Sequence, residues 1–67
     1  MSVGEKLKEL RGNKSQSKIA ADIGITKSSW AMYEKNERTP RDEVKVAIAN
    51  YFKKSVQEIF FANQEHI

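Results

Sequence analysis

The stretch QSKIAADIGITKSSWAMYE, residues 16–34, is the part of the sequence that decides the fold. It predicts two short helices joined by a turn. Ile19 and Ile23 lie four residues apart on one side of the first helix, and Trp30 and Tyr33 lie three apart on one side of the second. Each helix therefore has one apolar side to bury.

Small residues shape the corner between these helices. Ala20 leaves room for the second helix to cross closely, Gly24 can adopt the positive φ that ends a helix, and Ile25 fills the corner. Thr26 is then a good N-cap for the second helix. These features predict a helix-turn-helix. The residues left pointing outward on its second helix are Lys27, Ser28, Ser29 and Met32.

This spacing resembles the helix-turn-helix family of phage Cro and repressor proteins, the XRE-like class. The family pattern combines Gln, a small residue, Gly, and Ser or Thr with five apolar positions. Its positions are occupied here by Gln16, Ala20, Gly24, Thr26, Ile19, Ile23, Ile25, Trp30 and Tyr33. Glu34, Arg38 and Pro40 match the family's trailing residues. The resemblance covers roughly residues 3–61 and implies an all-α, compact, five-helix domain like that of lambda repressor.

Local signals predict the remaining helices. Ser2 with Glu5 and Ser55 with Glu58 have the capping-box spacing, which places helix starts near residues 3 and 56. Ser15 is the expected cap of the helix that begins at Gln16. The connection between the first helix and this one is about two residues shorter than is usual in the family.

The fourth helix is predicted from Thr39 as cap, Pro40 at its first position and the acidic Asp42 at its third position. Lys45 occupies a position that is often apolar in the family, so its stem is expected along the core edge with the ammonium group in water. Asn36 replaces a common Gly and can serve as a left-handed cap.

Length and composition limit the possible functions. Sixty-seven residues allow one domain, residues 1–67, with its helix-turn-helix core at about 16–34 and a C-terminal helix and tail at about 55–67. There is no Cys, and the one His is His66, so no metal site or cofactor is expected. No apolar run approaches the roughly 20 residues that span a bilayer, and the N-terminus lacks a signal-peptide core. We expect a cytoplasmic protein with no membrane association.

The charge permits nucleic-acid binding without diagnosing it. The net charge is +3, from 12 Lys and Arg against 9 Asp and Glu. Cations on or just after the second helix of the pair would lie beside a docked duplex, although charge alone also fits a solvated face. These cations are Lys27, Lys35, Arg38 and Arg41.

The resemblance implies specific roles for the exposed residues. Base contacts are expected from Lys27, Ser28 and Met32. Phosphate contacts are expected from Gln16, Ser29, Lys35, Asn36, Arg38 and Arg41. Gln16 could instead be a local cap partner. Trp30 is expected in the core rather than stacked on bases.

The family also has an internal ion pair, which Arg11 and Glu34 match; the alternative is two independent surface charges. Dimerisation is expected through Phe60, Phe61 and Ile67, unless these residues close the monomer core. In that case a dimer would form only on DNA.

The sequence therefore predicts a sequence-specific transcription regulator, most often a repressor in this family, that binds a pseudo-palindromic site in double-stranded DNA as a homodimer. One alternative is a protein-interaction module of the same fold, such as an antitoxin or a bridging factor. An enzyme has no support, because no nucleophile with a base, paired carboxylates or glycine-rich phosphate loop is present. No small-molecule ligand is evident.

Overall fold

The computed structural model describes residues 2–61, which form helices and turns without a strand. The helices are α1 (Val3–Arg11), α2 (Gln16–Ile23), α3 (Lys27–Glu34), α4 (Asp42–Phe52) and α5 (Val56–Phe60). The predicted all-α, five-helix fold is confirmed.

Hydroxyl caps begin four of these helices. In each case the capping side chain accepts a hydrogen bond from the backbone N–H three residues further on, and these caps are Ser2, Ser15, Thr26 and Ser55. Both predicted capping boxes form, since the side chains of Glu5 and Glu58 accept from the backbone N–H of Ser2 and Ser55. Local sequence therefore determines where most of the helices start.

The corner between α2 and α3 is made by Gly24, which adopts φ 94° and donates its N–H to the carbonyl of Ala20 at 2.8 Å. After α3, Asn36 adopts φ 61° in the left-handed region, as its place in the sequence predicts. These two residues fix the entry to α3 and the exit from it.

The start of α4 differs from the prediction. The helix begins at Asp42 with Arg41 as its N-cap, and no side chain caps it. Thr39 is therefore not the cap, and Pro40 lies before the helix rather than in its first turn. The physical reason is that Pro40 is buried, so the chain stays extended until this ring has packed. Asp42 and Glu43 then place negative charge in the first turn.

All five helices contribute buried side chains to one core. Its fully enclosed side chains are Trp30, Leu7, Ile19 and Ile48, each with 0% of its surface exposed. Tyr33 is 6% exposed. The expectation that Trp30 packs inside is confirmed, and the inward side of α3 is occupied by core contacts rather than by a ligand surface.

Two expectations about the C-terminal part need correction. Phe60 is only 6% exposed and belongs to the core, so it offers no surface to a second copy; Phe61 is half-buried against the same core. The ammonium group of Lys45 lies 5.1 Å from the ring centre of Phe61 and 5.8 Å from that of Phe60 rather than in water. Ile67 lies outside the described residues.

A close helix approach was not predicted. Gly4 on α1 is buried against the C-terminal end of α3, and a Cβ added to it would lie 2.2 Å from the carbonyl oxygen of Glu34. Nothing larger than glycine fits without moving one of the helices. This contact sets the position of α1 across the end of α3.

Candidate nucleic-acid interface

The outward side of α3 presents the residues that the sequence singled out. Lys27 and Ser28 are exposed at the first two positions of the helix, and Met32 is half-buried one turn later. Ser29 is tied to the cap, because its N–H and its hydroxyl both lie 3.0 Å from Thr26 Oγ1. An ammonium group, a hydroxyl and a thioether thus share one exposed surface, a set that can read base edges in a major groove.

The helices differ in what occupies their N-terminal ends. The first turns of α1, α4 and α5 carry carboxylates, from Glu5, from Asp42 with Glu43, and from Glu58. The first turns of α2 and α3 carry none. Because a helix N-terminus has partial positive charge and unsatisfied N–H groups, these two ends remain suited to an external anion such as a phosphate.

A partly buried polar cluster, the Glu34 cluster, joins α1, α2 and α3; it consists of Glu34, Arg11, Gln16 and Trp30. Arg11 Nε lies 2.6 Å from Glu34 Oε2, and Gln16 Nε2 donates to Glu34 Oε1 at 3.1 Å. The indole N–H of Trp30 donates to the same carboxylate. The Glu34 side chain is 6% exposed and the Arg11 side chain 18%. Arg11 and Glu34 are therefore an internal pair, not two surface charges.

Burial of the Glu34 carboxyl group would raise its pKa, but the hydrogen bonds from Arg11, Trp30 and Gln16 outweigh this effect and hold the pKa below the ordinary value. The same carboxylate raises the pKa of Arg11. Both groups are charged at neutral pH. The cluster is a structural ion pair with two neutral donors that complete the coordination of the carboxylate.

Gln16 occupies the first position of α2, and its amide points to Glu34 rather than acting as a cap partner, since Ser15 is the cap. An amide group has two donor hydrogens and an acceptor oxygen. One donor is used by Glu34, so the rest of the group remains able to contact a phosphate at the N-terminus of α2.

The segment after α3 carries exposed cations. Lys35, Arg38 and Arg41 are all exposed, and none forms an ion pair with another of residues 2–61. They fit the expected contacts to a flanking DNA backbone. Lys35 and Arg41 lie at the two ends of the loop between α3 and α4, and Arg38 lies within it.

Asn36 has a role that its expected phosphate contact did not include. Its Oδ1 accepts from the N–H of Gly4 at 2.9 Å, and its Nδ2 donates to Ser2 Oγ at 3.1 Å. The side chain therefore ties the exit of α3 to the start of α1. Only a partner more than thirty residues away reveals this role, so no local signal indicated it.

A second polar link, also missed from the sequence, spans the shortened connection between α1 and α2. Lys14 Nζ donates to the hydroxyl of Tyr51 at 3.1 Å, and this hydroxyl donates to Asp22 Oδ2 at 2.8 Å. The hydrogen bond from Tyr51 and the nearby Lys18 lower the pKa of Asp22. This link connects the loop, α2 and α4.

Residues 2–61 were also searched for metal sites and for membrane-spanning helices. No cluster of three or more His, Cys, Asp or Glu side chains is arranged to hold a metal ion. No helix in this range has the length and apolar character needed to cross a membrane.

Comparison with known protein families gives a match over most of the chain. A family model described as a helix-turn-helix domain matches residues 4–65. Searches of curated proteins and of solved structures returned no match. The matched range includes α2, α3, the loop that follows and almost all of α1.

Proposed function

The chain belongs to the helix-turn-helix family of the XRE/Cro-like type, and from this premise we propose that it is a sequence-specific transcription regulator that represses by occupying an operator. The family supports DNA binding and regulation in general. The finer assignment concerns how this chain would bind: α3 enters the major groove, while α2 and the loop after α3 hold the backbone.

The observation that carries the proposal is the N-terminal end of α3. Lys27 and Ser28 are exposed there, and the first turn contains no carboxylate. The ammonium group of Lys27 can donate to guanine O6 and N7, and the Ser28 hydroxyl can serve either a donor or an acceptor edge. Met32 can pack against a thymine methyl group.

Backbone contacts support the same orientation. The N-terminus of α2 with Gln16, and the hydroxyl of Ser29, are proposed to bind phosphates near the recognition surface. Lys35, Arg38 and Arg41 would bind the flanking backbone. Asn36 is proposed to support this loop through its hydrogen bonds to Gly4 and Ser2. Only the part of its amide group that these bonds do not use would contact a phosphate.

One recognition helix reads only a few base pairs, so useful specificity calls for two copies on a pseudo-palindromic site. Phe60, one of the three residues expected at the dimer surface, is buried in the core. We therefore propose that dimerisation depends on DNA, with the half-buried Phe61 at the edge of the contact. No catalytic role and no cofactor are proposed.

Selection of binding sites from random double-stranded DNA tests the proposal. We expect an enriched pseudo-palindrome whose half-sites lie about 34 Å apart, one helical turn. Sedimentation of the protein with and without the selected duplex then tests whether the dimer forms only on DNA. Failure to enrich any sequence at low ionic strength would contradict the proposal and favour a protein-interaction module such as an antitoxin.

A further inference from the structure

A cavity of about 290 Å³ lies between the start of α1, the loop after α3, and α5. Its apolar walls include Tyr33, Pro40, Phe60 and Phe61. Tyr33 and Phe60 are each 6% exposed, so these walls are fixed by the core. An apolar cavity of roughly 150 Å³ accepts benzene, so this one has room for an aromatic ring with a short substituent.

Two cationic side chains lie next to these apolar walls. Lys45 and Arg38 both line the cavity, and the Lys45 side chain is only 14% exposed. The sole carboxylate of residues 2–61 within ion-pairing distance of Lys45 is Asp42, at 3.9 Å, and the Asp42 side chain is fully exposed. A partly buried ammonium group is thus balanced mainly by the faces of two aromatic rings.

We propose that this cavity binds a small aromatic carboxylic acid in its ionised form. The ring would pack against Tyr33, Pro40 and Phe61, and the carboxylate would accept hydrogen bonds from Lys45 and Arg38. A charge-assisted bond to Lys45 supplies the acceptor that this ammonium group lacks within residues 2–61. An uncharged molecule of the same shape would fill the cavity without satisfying either cation.

The site adjoins the segment that we propose binds the DNA backbone, because Arg38 belongs to both. A carboxylate that holds the Arg38 guanidinium group competes with a phosphate for it, so occupancy lowers affinity for DNA. This consequence rests on the proposed function, whereas binding of the acid by the protein alone does not.

Titration of the full chain with benzoate, followed by amide chemical shifts in NMR, tests the site. Benzyl alcohol is the uncharged comparison. We expect saturable shifts at residues around the cavity and an affinity for benzoate about tenfold above that for benzyl alcohol, the size of one charge-assisted hydrogen bond. Equal affinities, or shifts that spread over the surface without saturation, would overturn the proposal.

Lys45→Met removes the ammonium group and keeps an unbranched side chain, so it is expected to abolish the preference for benzoate. Lys54→Met, at an exposed position of equal charge, is the matched control and is expected to keep it. Should Lys45→Met fail to fold, Arg38→Gln in the exposed loop is expected to weaken benzoate binding severalfold. Unchanged benzoate affinity in both Lys45→Met and Arg38→Gln would exclude the site.

The effect on DNA is measured separately, with a selected duplex at constant ionic strength maintained with chloride. Benzoate at saturation is expected to reduce DNA affinity severalfold, and benzyl alcohol to leave it unchanged. A reduction by both compounds, or by neither, would refute the competition for Arg38. A protein that bound benzoate but no DNA would refute the proposed function while leaving the cavity's ligand class intact.

Discussion

The Glu34 cluster and the N-terminal end of α3 both involve α3, but they differ in how their polar groups are satisfied. In the cluster, one carboxylate accepts hydrogen bonds from Arg11, Gln16 and Trp30. At the start of α3, Lys27 and Ser28 are exposed and no carboxylate occupies the first turn. Polar groups that are satisfied internally hold the helices together, whereas those left open are available to a partner.

The largest expected effect is on stability, and it follows from removing the carboxylate of the Glu34 cluster. Glu34→Ala leaves the guanidinium group of Arg11 in a partly buried position without its partner. We expect a loss of about 3 kcal/mol in the free energy of unfolding, at the low end for a broken buried pair because Arg11 retains some exposure. Chemical denaturation measures it. Glu37→Ala removes an exposed side chain of the same charge and should change the free energy of unfolding little. An equal loss in both variants would contradict a specific contribution of the Glu34 cluster to stability.

A carboxylate added to the N-terminal end of α3 tests whether this end binds DNA. Ser28→Asp adds a carboxylate to the first turn, so it should stabilise the helix slightly while weakening DNA binding by roughly thirtyfold or more, since like charges in contact cost several kcal/mol. The matched control is Gln57→Asp, which adds the same charge at the second position of α5. Fluorescence anisotropy with a selected duplex gives both affinities. Similar losses in the two variants would indicate a general charge effect.

Lys27 is expected to affect sequence preference as well as affinity. Lys27→Ala should cost about 1–3 kcal/mol on the preferred site and relax the preference at one or two base positions. Lys54→Ala, which removes an exposed cation elsewhere, is expected to leave sequence preference unchanged. Competition among single-base variants of the site measures the effect. Equal weakening on all sequences would make Lys27 a backbone contact.

Arg41 should affect affinity without affecting sequence preference. Arg41→Ala is expected to lower the slope of log affinity against log salt by about 0.9, the value for one phosphate neutralised. Arg41→Lys keeps the charge and should keep the slope. Binding isotherms over a range of salt concentrations give the slope, and an unchanged value for Arg41→Ala would place Arg41 outside the interface.

The smallest expected effect is the pH dependence of the cluster. Because the pKa of Glu34 in the folded protein lies below its ordinary value of 4.5, the stabilisation it provides is complete above pH 4.5 and is lost as the pH falls through the folded pKa. The difference in melting temperature between the wild-type protein and Glu34→Gln should therefore narrow between neutral pH and about pH 3. A constant difference would show that ionisation of Glu34 does not contribute.

What the sequence could predict follows from how local each signal is. The capping boxes at Ser2 and Ser55 need residues only three positions apart, and both form as expected. The inward position of Trp30 follows from helical periodicity together with the family pattern. The outward position of Lys27 and Ser28 follows from the same periodicity, so the candidate site was predictable as a surface.

The features that were missed depend on contacts between distant parts of the chain. Pro40 is buried, and this delays the start of α4. Phe60 is taken into the core, and Lys45 covers its ring. The bonds of Asn36 to the start of α1 join residues 32 and 34 positions apart. Residue type and spacing contain none of this information.

Gly4 has a consequence for attempts to move the recognition unit into another protein. A Cβ at this position would lie 2.2 Å from the Glu34 carbonyl oxygen, so the backbones of α1 and α3 are too close for any side chain there. A graft of residues 15–36 onto a foreign scaffold must therefore bring a matching glycine on the helix that crosses it. A host with alanine there would hold the transplanted helix at a different depth and angle, and would present the same side chains to DNA in a different register.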